Sequence, residues 1–184
     1  MTAVVRAACQ DSGTYSGAGW MSGARAWLVR FLGLLVLLAP VSVQASDDGR
    51  PVLTVRETVD GEPVTFTRAQ LTALGIHRIE TDTPWTDKVT TFEGPLLRDV
   101  LEKADVDGAH IEAVALNDYR VEIPVSDSRE TDMILAMKVD GKMIGVRERG
   151  PLWVIYPWGV REDLRTELYY SRAIWQLREL ILRR

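Results

Sequence analysis

Residues 147–161 have the sequence RERGPLWVIYPWGVR, which joins a short apolar run to a high density of aromatic and basic side chains. These fifteen residues include two tryptophans, one tyrosine, three arginines, two prolines and two glycines. Only residues 152–156 are continuously apolar, as expected for a buried strand. The flanking residues supply flat aromatic faces, guanidinium donors and rigid bends. This combination is what the binding of a flat polar heterocycle requires.

The sequence on either side of this strand predicts a mixed β-sheet with short helices, which is an α+β fold. Asp140-Gly141 predicts a tight turn between two strands. Residues 158–170 predict a polar loop or a short helix, and residues 171–182 fit a helix and a strand equally well. The predicted strands cover residues 51–58, 63–66, 76–81, 88–92, 111–116, 120–124, 133–139, 142–143 and 152–156.

Two short helices are predicted from local signals. Thr67 and Gln70 form a capping-box pattern that begins a helix, and Gly75 ends it. Residues 95–104 predict an amphipathic helix, and Pro95 suits its first turn. Its apolar side consists of Leu96, Leu97, Val100 and Leu101.

Residues 25–45 have the features of a secretory signal peptide. Two arginines precede an apolar run at residues 31–41, and Val43-Gln44-Ala45 is a small-x-small cleavage site. The run is short for a transmembrane helix, although an uncleaved membrane anchor is the alternative. We therefore predict residues 1–45 to be an N-terminal extension and signal peptide. Either Met1 or Met21 fits as the start of translation.

The predicted mature chain, residues 46–184, is one domain that is expected in the periplasm. It contains 19 of the 22 basic residues and 25 of the 26 acidic residues, for a formal net charge of −6. This charge argues against nucleic acid and against an anionic membrane surface as partners. The single cysteine, Cys9, lies outside it, so no disulfide is expected. Its two histidines, His77 and His110, lie in different segments, which argues against a histidine-based metal site.

Five motifs follow one another in the second half of the chain. They are FEGPLLRDVLEKADV (92–106), LNDYRVEIP (116–124), ILAMKVDGKMI (134–144), RGPLWVIYPW (149–158) and Trp175-Gln176-Leu177. Their order resembles the molybdopterin-binding domain of the sulfite oxidase family. In that family a strand leads into a G-x-x-L-x-x-x-L helix, and a G-P dipeptide enters a central strand that ends in proline. The resemblance covers about residues 85–182 and implies the fold of that domain.

The sequence departs from this family at the expected metal ligand. The catalytic members carry a molybdenum-ligating cysteine upstream of the FEGPLL-like helix, but residues 81–92 contain no cysteine. An H-G-x-P-x-R box is also missing, with Arg149 at the histidine place and Trp153 at the arginine place. Molybdenum in this fold needs a soft thiolate ligand. The departure therefore argues against sulfite oxidation and against a bound molybdenum cofactor.

The remaining resemblance is to a subset of short, exported, cysteine-free relatives. It implies a non-catalytic protein that binds a free pterin in the periplasm. It also implies that the protein regulates a membrane-bound enzyme of cyclic di-GMP synthesis or degradation through that enzyme's periplasmic domain. Two alternatives stay open. One is a molybdopterin-dependent oxidoreductase with an unusual metal ligand set, and the other is a structural or interaction module without a ligand.

Several aromatic residues are candidates for contact with a pterin ring. Trp153 and Trp158 can stack on it, or they are strand core and a packed corner. The turn at residues 157–159 favours an exposed Trp158 ring. Trp85 lies where the family cysteine is expected, and it either caps a vacated pocket or anchors the core. Trp175 belongs to the core or to a partner surface.

The polar candidates lie in two loops. Asp118 can accept two hydrogen bonds side by side from the pterin amino group and ring N–H, although an Asx turn is the alternative. Asn117 and Tyr119 flank it and can add an amide and a hydroxyl. The other polar candidates are Arg149 as a donor to the pterin carbonyl, Gly150 as a point of close backbone approach, and Arg161 as a weaker donor. A surface ion pair is the alternative for Arg161, and a simple turn is the alternative for Gly150.

Overall fold

The computed structural model describes residues 49–184, in which strands outnumber helices. The α-helices are α1 (Arg68–Ala73), α2 (Leu97–Ala104), α3 (Val125–Glu130) and α4 (Glu167–Arg172), and short 3-10 helices span Val146–Glu148 and Glu162–Leu164. The strands are β1 (Pro51–Arg56), β2 (Val64–Thr67), β3 (His77–Thr81), β4 (Thr90–Gly94), β5 (His110–Ala115), β6 (Arg120–Pro124), β7 (Ile134–Ala136), β8 (Lys138–Val139), β9 (Lys142–Met143), β10 (Trp153–Ile155) and β11 (Leu177–Arg183). The predicted α+β class, with mixed sheet and short helices, is confirmed.

The largest sheet has five strands in the order β2-β1-β11-β5-β6. The C-terminal strand β11 runs parallel to β1 and antiparallel to β5, so it joins the two ends of the described chain. This pairing resolves the ambiguous C-terminal segment, because α4 ends at Arg172 and the strand begins at Leu177. Leu177, Leu180 and Leu182 are buried in the hydrophobic core.

Strand β10, which lies within residues 147–161, is short and fully buried. All three residues of β10 are buried, as the continuous apolar run predicts. On one side β10 pairs antiparallel with β7. On the other side Trp153 forms a bridge with Trp175, and the Val154 amide donates to the Ile174 carbonyl at 2.9 Å. The segment before β11 therefore completes the surroundings of this strand.

The prediction of one strand over residues 133–139 is wrong. Ile134–Ala136 pairs with β10, whereas Lys138–Val139 pairs with β4. Met137 lies between them, and its amide donates to the Glu93 carbonyl at 2.8 Å. The chain thus passes from one sheet to another at Met137. The predicted Asp140-Gly141 turn follows and connects β8 to β9, with both residues at positive φ.

The predicted helices form, and a third was missed. Thr67 and Gln70 make both hydrogen bonds of the capping box at the start of α1. The apolar side of α2 is buried, although the helix begins at Leu97, two residues later than predicted. The missed helix is α3, whose sequence VSDSRE has no apolar repeat that a periodicity argument could detect.

Cross-strand ion pairs lie on the five-stranded sheet. The Glu112 carboxylate on β5 accepts hydrogen bonds from Arg183 on β11 and from Arg120 on β6. These two guanidinium groups, with Arg183 the stronger influence, hold the pKa of Glu112 below its usual range. Within residues 49–184, no helix has the length and apolar character needed to cross a membrane.

Candidate functional site

The centre of the candidate site is a cluster of aromatic rings around Trp85. The ring centroid of Trp85 lies 5.4 Å from that of Trp175, 5.9 Å from Trp153, 6.2 Å from Tyr170 and 6.5 Å from Trp158. Three of these pairs are edge-to-face and the pair with Trp153 is tilted, and edge-to-face packing is a favoured arrangement of aromatic rings. Trp85 thereby connects the core side of the cluster to its exposed side.

A tight turn holds Trp85 in this position. The Thr86 amide donates to the Thr83 carbonyl at 3.1 Å, and the Thr83 amide donates to the Thr86 hydroxyl at 3.0 Å. The Trp85 amide donates to the Thr83 hydroxyl at 3.2 Å. The local sequence T-P-W-T therefore fixes the backbone from which the Trp85 ring projects.

A cleft of about 370 Å³ opens beside this cluster. Its volume lies within the range of about 300–1,000 Å³ that is typical of small-molecule sites. Four aromatic side chains contribute to its walls, and none of its lining residues is charged. The lining residues are Trp85, Ala115, Asn117, Tyr119, Tyr170, Ser171, Ala173, Ile174 and Trp175.

One rim of the cleft is the turn between β5 and β6. The Asn117 side-chain oxygen accepts a hydrogen bond from the Tyr119 amide at 3.2 Å, which is the Asx-type geometry of such turns. Asn117 lines the cleft, and an amide side chain carries an NH₂ group that can donate hydrogen bonds. The Tyr119 side chain is 53% exposed at the mouth. This turn can therefore offer an amide donor and a hydroxyl to a ligand edge.

A second part of the lining comes from α4, which supplies Tyr170 and Ser171. The next residue of this helix, Arg172, donates to the buried Asp127 carboxylate at 2.8 Å. The same Asp127 oxygen accepts a hydrogen bond from the Tyr156 hydroxyl at 2.8 Å. Burial of the phenol and the adjacent Asp127 charge raise the pKa of Tyr156 far above its usual value. This network holds α4, and with it one wall of the cleft, against the core.

Two of the predicted stacking residues are core residues. Trp153 is buried, and its Nε1 donates to the Ala173 carbonyl at 3.1 Å. Trp158 is completely buried, and its Nε1 donates to the Leu164 carbonyl at 2.9 Å. The predicted exposed Trp158 ring is wrong because Gly159 lies directly against the backbone of Glu80, where a Cβ would come within 2.2 Å of the carbonyl oxygen. The turn therefore packs inward and supports the cleft from behind.

Asp118 lies in the predicted turn but does not line the cleft. It adopts a positive φ of 65°, and its exposed carboxylate accepts a hydrogen bond from Arg178 at 2.6 Å. This ion pair joins the turn to Arg178 on β11. Of the three predicted turn residues, the structure places Asn117 and Tyr119 at the cleft and Asp118 outside its lining.

The remaining predicted residues also lie outside the cleft lining. The Arg149 guanidinium lies 5.2 Å from the Trp153 ring centroid and 6.0 Å from that of Trp175, so it borders the cluster by cation–π contact. Gly150 is buried, and a Cβ there would lie 2.1 Å from the Ile144 carbonyl oxygen. Its small size therefore accommodates the protein's own backbone and leaves no room for the expected ligand approach. Arg161 pairs with Asp163 at 2.7 Å, the type of surface ion pair that was its alternative.

Several lining residues were missed as ligand contacts. The local sequence does not indicate ligand binding by four of them, because the packing of α4 and of the segment after it brings them to the cleft. These are Tyr170, Ser171, Ala173 and Ile174. Trp175 was assigned to the core or to a partner surface, but it lines the cleft and is 37% exposed. Trp85, predicted either to cap a vacated pocket or to anchor the core, packs against the core and also lines the cleft.

Comparison with known families identifies the domain. A sequence model described as the oxidoreductase molybdopterin binding domain matches residues 47–161. The chain belongs to this family. Among solved structures, the fold is similar to that of the sulfane dehydrogenase SoxCD from Paracoccus pantotrophus, with a TM-score of 0.52 and 16% sequence identity. No curated protein sequence matches the chain.

The similarity to sulfane dehydrogenase extends over part of each protein. It covers 71% of this chain but only 37% of the dehydrogenase chain. At this level of identity the comparison shows the fold alone. Membership of the family indicates a pterin-type ligand for the domain, and the lining of the cleft can be compared with such a ligand.

The described residues do not suit a metal-loaded molybdopterin. Residues 49–184 contain no cysteine, and no group of three or more His, Cys, Asp and Glu side chains within them is arranged to hold a metal ion. The cleft lining has no basic side chain to pair with a cofactor phosphate. A flat, uncharged ring matches the lining better, because aromatic walls can stack on it and neutral amide and hydroxyl groups can bind its edge.

Proposed function

We propose that this chain is an exported, non-catalytic protein that binds a free pterin in the aromatic cleft. We further propose that it regulates a membrane-bound enzyme of cyclic di-GMP synthesis or degradation through that enzyme's periplasmic domain. The observation that carries the proposal is the cleft itself, a cavity of about 370 Å³ with four aromatic walls and no charged lining residue. Family membership supports a pterin as the ligand class.

The signalling half of the proposal rests on the sequence. The signal-peptide features of residues 25–45 support export. The resemblance to short, cysteine-free relatives supports a regulatory role in place of catalysis. A bound pterin changes the partner's activity only if the partner has different affinities for the pterin-bound and pterin-free protein. Contacts near the turn that borders the cleft would provide such a difference.

A molybdopterin-dependent oxidoreductase is the second candidate, and the family description favours it. Two observations argue against this candidate. Residues 49–184 contain no cysteine, and Trp85 lies in the segment where the resemblance to the sulfite oxidase family implies the ligating cysteine. Trp85 contributes a large ring that contacts four other aromatic residues there. A module without any ligand is a third candidate, and the open aromatic cleft argues against it.

The binding proposal can be tested by titrating biopterin, in its oxidised and dihydro forms, into protein purified from a bacterial host that exports the full chain. Calorimetry gives the affinity, and the Trp175→Ala variant removes one stacking ring. We expect its affinity to fall by about fivefold to 150-fold, corresponding to about 1–3 kcal/mol of stacking free energy. Tyr119→Ala should weaken binding in the same direction by removing a ring and a hydroxyl.

Leu168→Ala is the matched control for Tyr119→Ala. Leu168 is also 53% exposed and lies on α4, but it is not part of the cleft lining. Its substitution should leave the biopterin affinity unchanged. Equal affinities in wild-type protein and both cleft variants would place any bound pterin outside the cleft, and no heat of binding with either form would contradict the proposal.

A further inference from the structure

A second concave surface, of about 500 Å³, is lined by basic side chains. We call it the basic groove, defined by Arg50, Arg56, Arg68 and Arg178, which come from separate parts of the chain. Glu179 is the one acidic residue among its lining residues in the described part of the chain. This enrichment contrasts with the formal net charge of −6 on residues 46–184. The groove therefore concentrates positive charge on an acidic protein.

The charges of the basic groove are only partly neutralised. Arg56 pairs with Glu179 at 2.7 Å. Arg178 uses Nη2 to bind the Asp118 carboxylate, while its Nε is buried and has no hydrogen-bond partner among residues 49–184. Arg68 makes a 3.8 Å contact with the Met143 sulfur but no ion pair within the same residues. The Arg178 side chain is 41% exposed, so its other guanidinium N–H groups and the Arg68 guanidinium can donate to further carboxylate oxygens, whereas the buried Nε cannot reach a ligand.

Apolar side chains border the same groove. Leu116 and Val146 line it and are 43% and 52% exposed. An inorganic anion would gain nothing from these two residues, whereas an extended peptide with alternating acidic and apolar side chains could contact both them and the arginines. The combination of charge and apolar contact matches a polypeptide segment.

The turn at residues 116–119 borders both the basic groove and the cleft. Leu116 lines the groove and Asp118 binds Arg178, whereas Asn117 and Tyr119 line the cleft. A carboxylate that bound Arg178 from outside would compete with Asp118 and free the Asp118 side chain, while the backbone hydrogen bonds of the turn would remain. Such a change at the turn would alter the free energy of ligand binding in the cleft, and by linkage the effect would be reciprocal.

We propose that the basic groove is the docking site for an acidic, extended segment of a partner protein, and that the turn at residues 116–119 couples it to the cleft. The coupling rests on the proposed function, since it requires a ligand in the cleft. The docking of the partner segment requires no ligand in the cleft. An anionic membrane is the less suitable partner, because a net charge of −6 repels such a surface as a whole.

The docking test uses a fluorescently labelled eight-residue peptide of alternating Glu and Leu, with a Gln-Leu peptide as the uncharged probe. Anisotropy on the exported full-length protein should show saturable binding of the Glu-Leu peptide that weakens with salt. Arg178→Gln and Arg68→Gln should each weaken it by about threefold to tenfold. Arg78→Gln is the matched control, because Arg78 is an exposed, ion-paired arginine on β3 outside the groove.

Asp118→Asn should change the affinity in the opposite direction. Removing the internal carboxylate frees Arg178, so peptide binding should tighten by about twofold to fivefold. A purely structural role of the Asp118–Arg178 pair would not produce this increase. No saturable binding of the Glu-Leu peptide, equal binding of the Gln-Leu peptide, or binding to phosphatidylglycerol vesicles in its place would overturn the docking proposal.

The coupling is tested by repeating the peptide titration with saturating biopterin. A change in peptide affinity of about twofold or more that Asp118→Asn reduces supports coupling through the turn. An unchanged peptide affinity with biopterin bound would overturn the coupling. If biopterin binds and the peptide does not, only the docking proposal is refuted. If the peptide binds and biopterin does not, only the proposed ligand of the cleft is refuted, so the two failures are distinguishable.

Discussion

Replacement of Asp127 by alanine should cause a large loss of stability. One oxygen of this carboxylate accepts hydrogen bonds from Tyr156 and Arg172, both at 2.8 Å, and Asp127 is 7% exposed. Removing one member of a buried ion pair costs about 3–5 kcal/mol, because the remaining charge stays buried without a partner. The lost Tyr156 hydrogen bond is part of this total. The expected loss is a large share of a typical folding stability of about 5–15 kcal/mol.

Two further variants separate the contributions. Tyr156→Phe removes one hydrogen bond to a charged acceptor and leaves the ion pair in place, so its cost should be about 1.5–3 kcal/mol. The double variant Asp127→Ala, Arg172→Met replaces both charges with apolar groups. It should recover much of the stability that Asp127→Ala loses, since buried ion pairs can often be replaced in this way.

Urea denaturation monitored by tryptophan fluorescence measures these differences as shifts of the unfolding midpoint. Because α4 carries Tyr170 and Ser171 to the cleft, Asp127→Ala should also weaken biopterin binding under conditions in which the variant remains folded. A free energy of unfolding of Asp127→Ala within about 1 kcal/mol of the wild-type value would rule out a strong contribution from this ion pair. A double variant no more stable than Asp127→Ala would show that the unpaired Arg172 charge is not the cause of the loss.

Three other predictions concern packing and pH. Gly150→Ala should destabilise the protein by about 2 kcal/mol or more, because the new Cβ would lie 2.1 Å from the Ile144 carbonyl oxygen. Gly145→Ala is the control, since its Cβ would meet only a side-chain atom at 3.6 Å, and it should be close to neutral in the same urea assay. Trp158→Phe should cost about 1–3 kcal/mol, since it leaves a buried carbonyl without its donor, and an unchanged unfolding midpoint would contradict this account. Arg183 and Arg120 lower the pKa of Glu112 in the folded protein relative to the unfolded chain. The ionised Glu112 therefore stabilises the fold above about pH 4.3, the pKa of an unfolded glutamate, and this stabilisation is lost as the pH falls through the pKa of the folded protein. Stability curves measured between about pH 3 and pH 6 should therefore be flatter for Glu112→Gln, and identical slopes would refute the assignment.

Features governed by local chemistry could be predicted from the sequence. The capping box at Thr67 and Gln70 depends on residues three positions apart, and both of its hydrogen bonds are present. The apolar side of α2 and the Asp140-Gly141 turn have the same local origin. The buried central strand was predicted for a similar reason, since its apolar run has no alternation.

Features that depend on distant parts of the chain could not be predicted in this way. The strand over residues 177–183 is set by parallel pairing with β1, whose residues lie more than a hundred positions earlier. The direction of Trp158 depends on the contact between Gly159 and Glu80. Local sequence contains neither of these partners, so the turn was predicted to expose a ring that is buried.

The candidate site was predicted in part for the same physical reason. Asn117 and Tyr119 were identified because a polar turn between strands commonly carries binding groups. Asp118 has the same local signal, but its ion pair with Arg178 on β11 turns it to the basic groove. Tyr170 and Ser171 reach the cleft through the packing of α4, in which Arg172 binds the buried Asp127 and Tyr170 contacts Trp85 and Trp158. Such tertiary contacts decide which polar residues of a loop become ligand contacts.

The ligand of the cleft can be identified directly in protein purified after export. The purified protein is denatured, the released small molecules are analysed by mass spectrometry and fluorescence, and the molybdenum content of the same sample is measured. The account predicts a fluorescent pterin without a phosphate group and without molybdenum, because the cleft offers aromatic and neutral polar contacts and residues 49–184 contain no thiolate. Molybdenum bound together with a pyranopterin would contradict it and would support the oxidoreductase candidate.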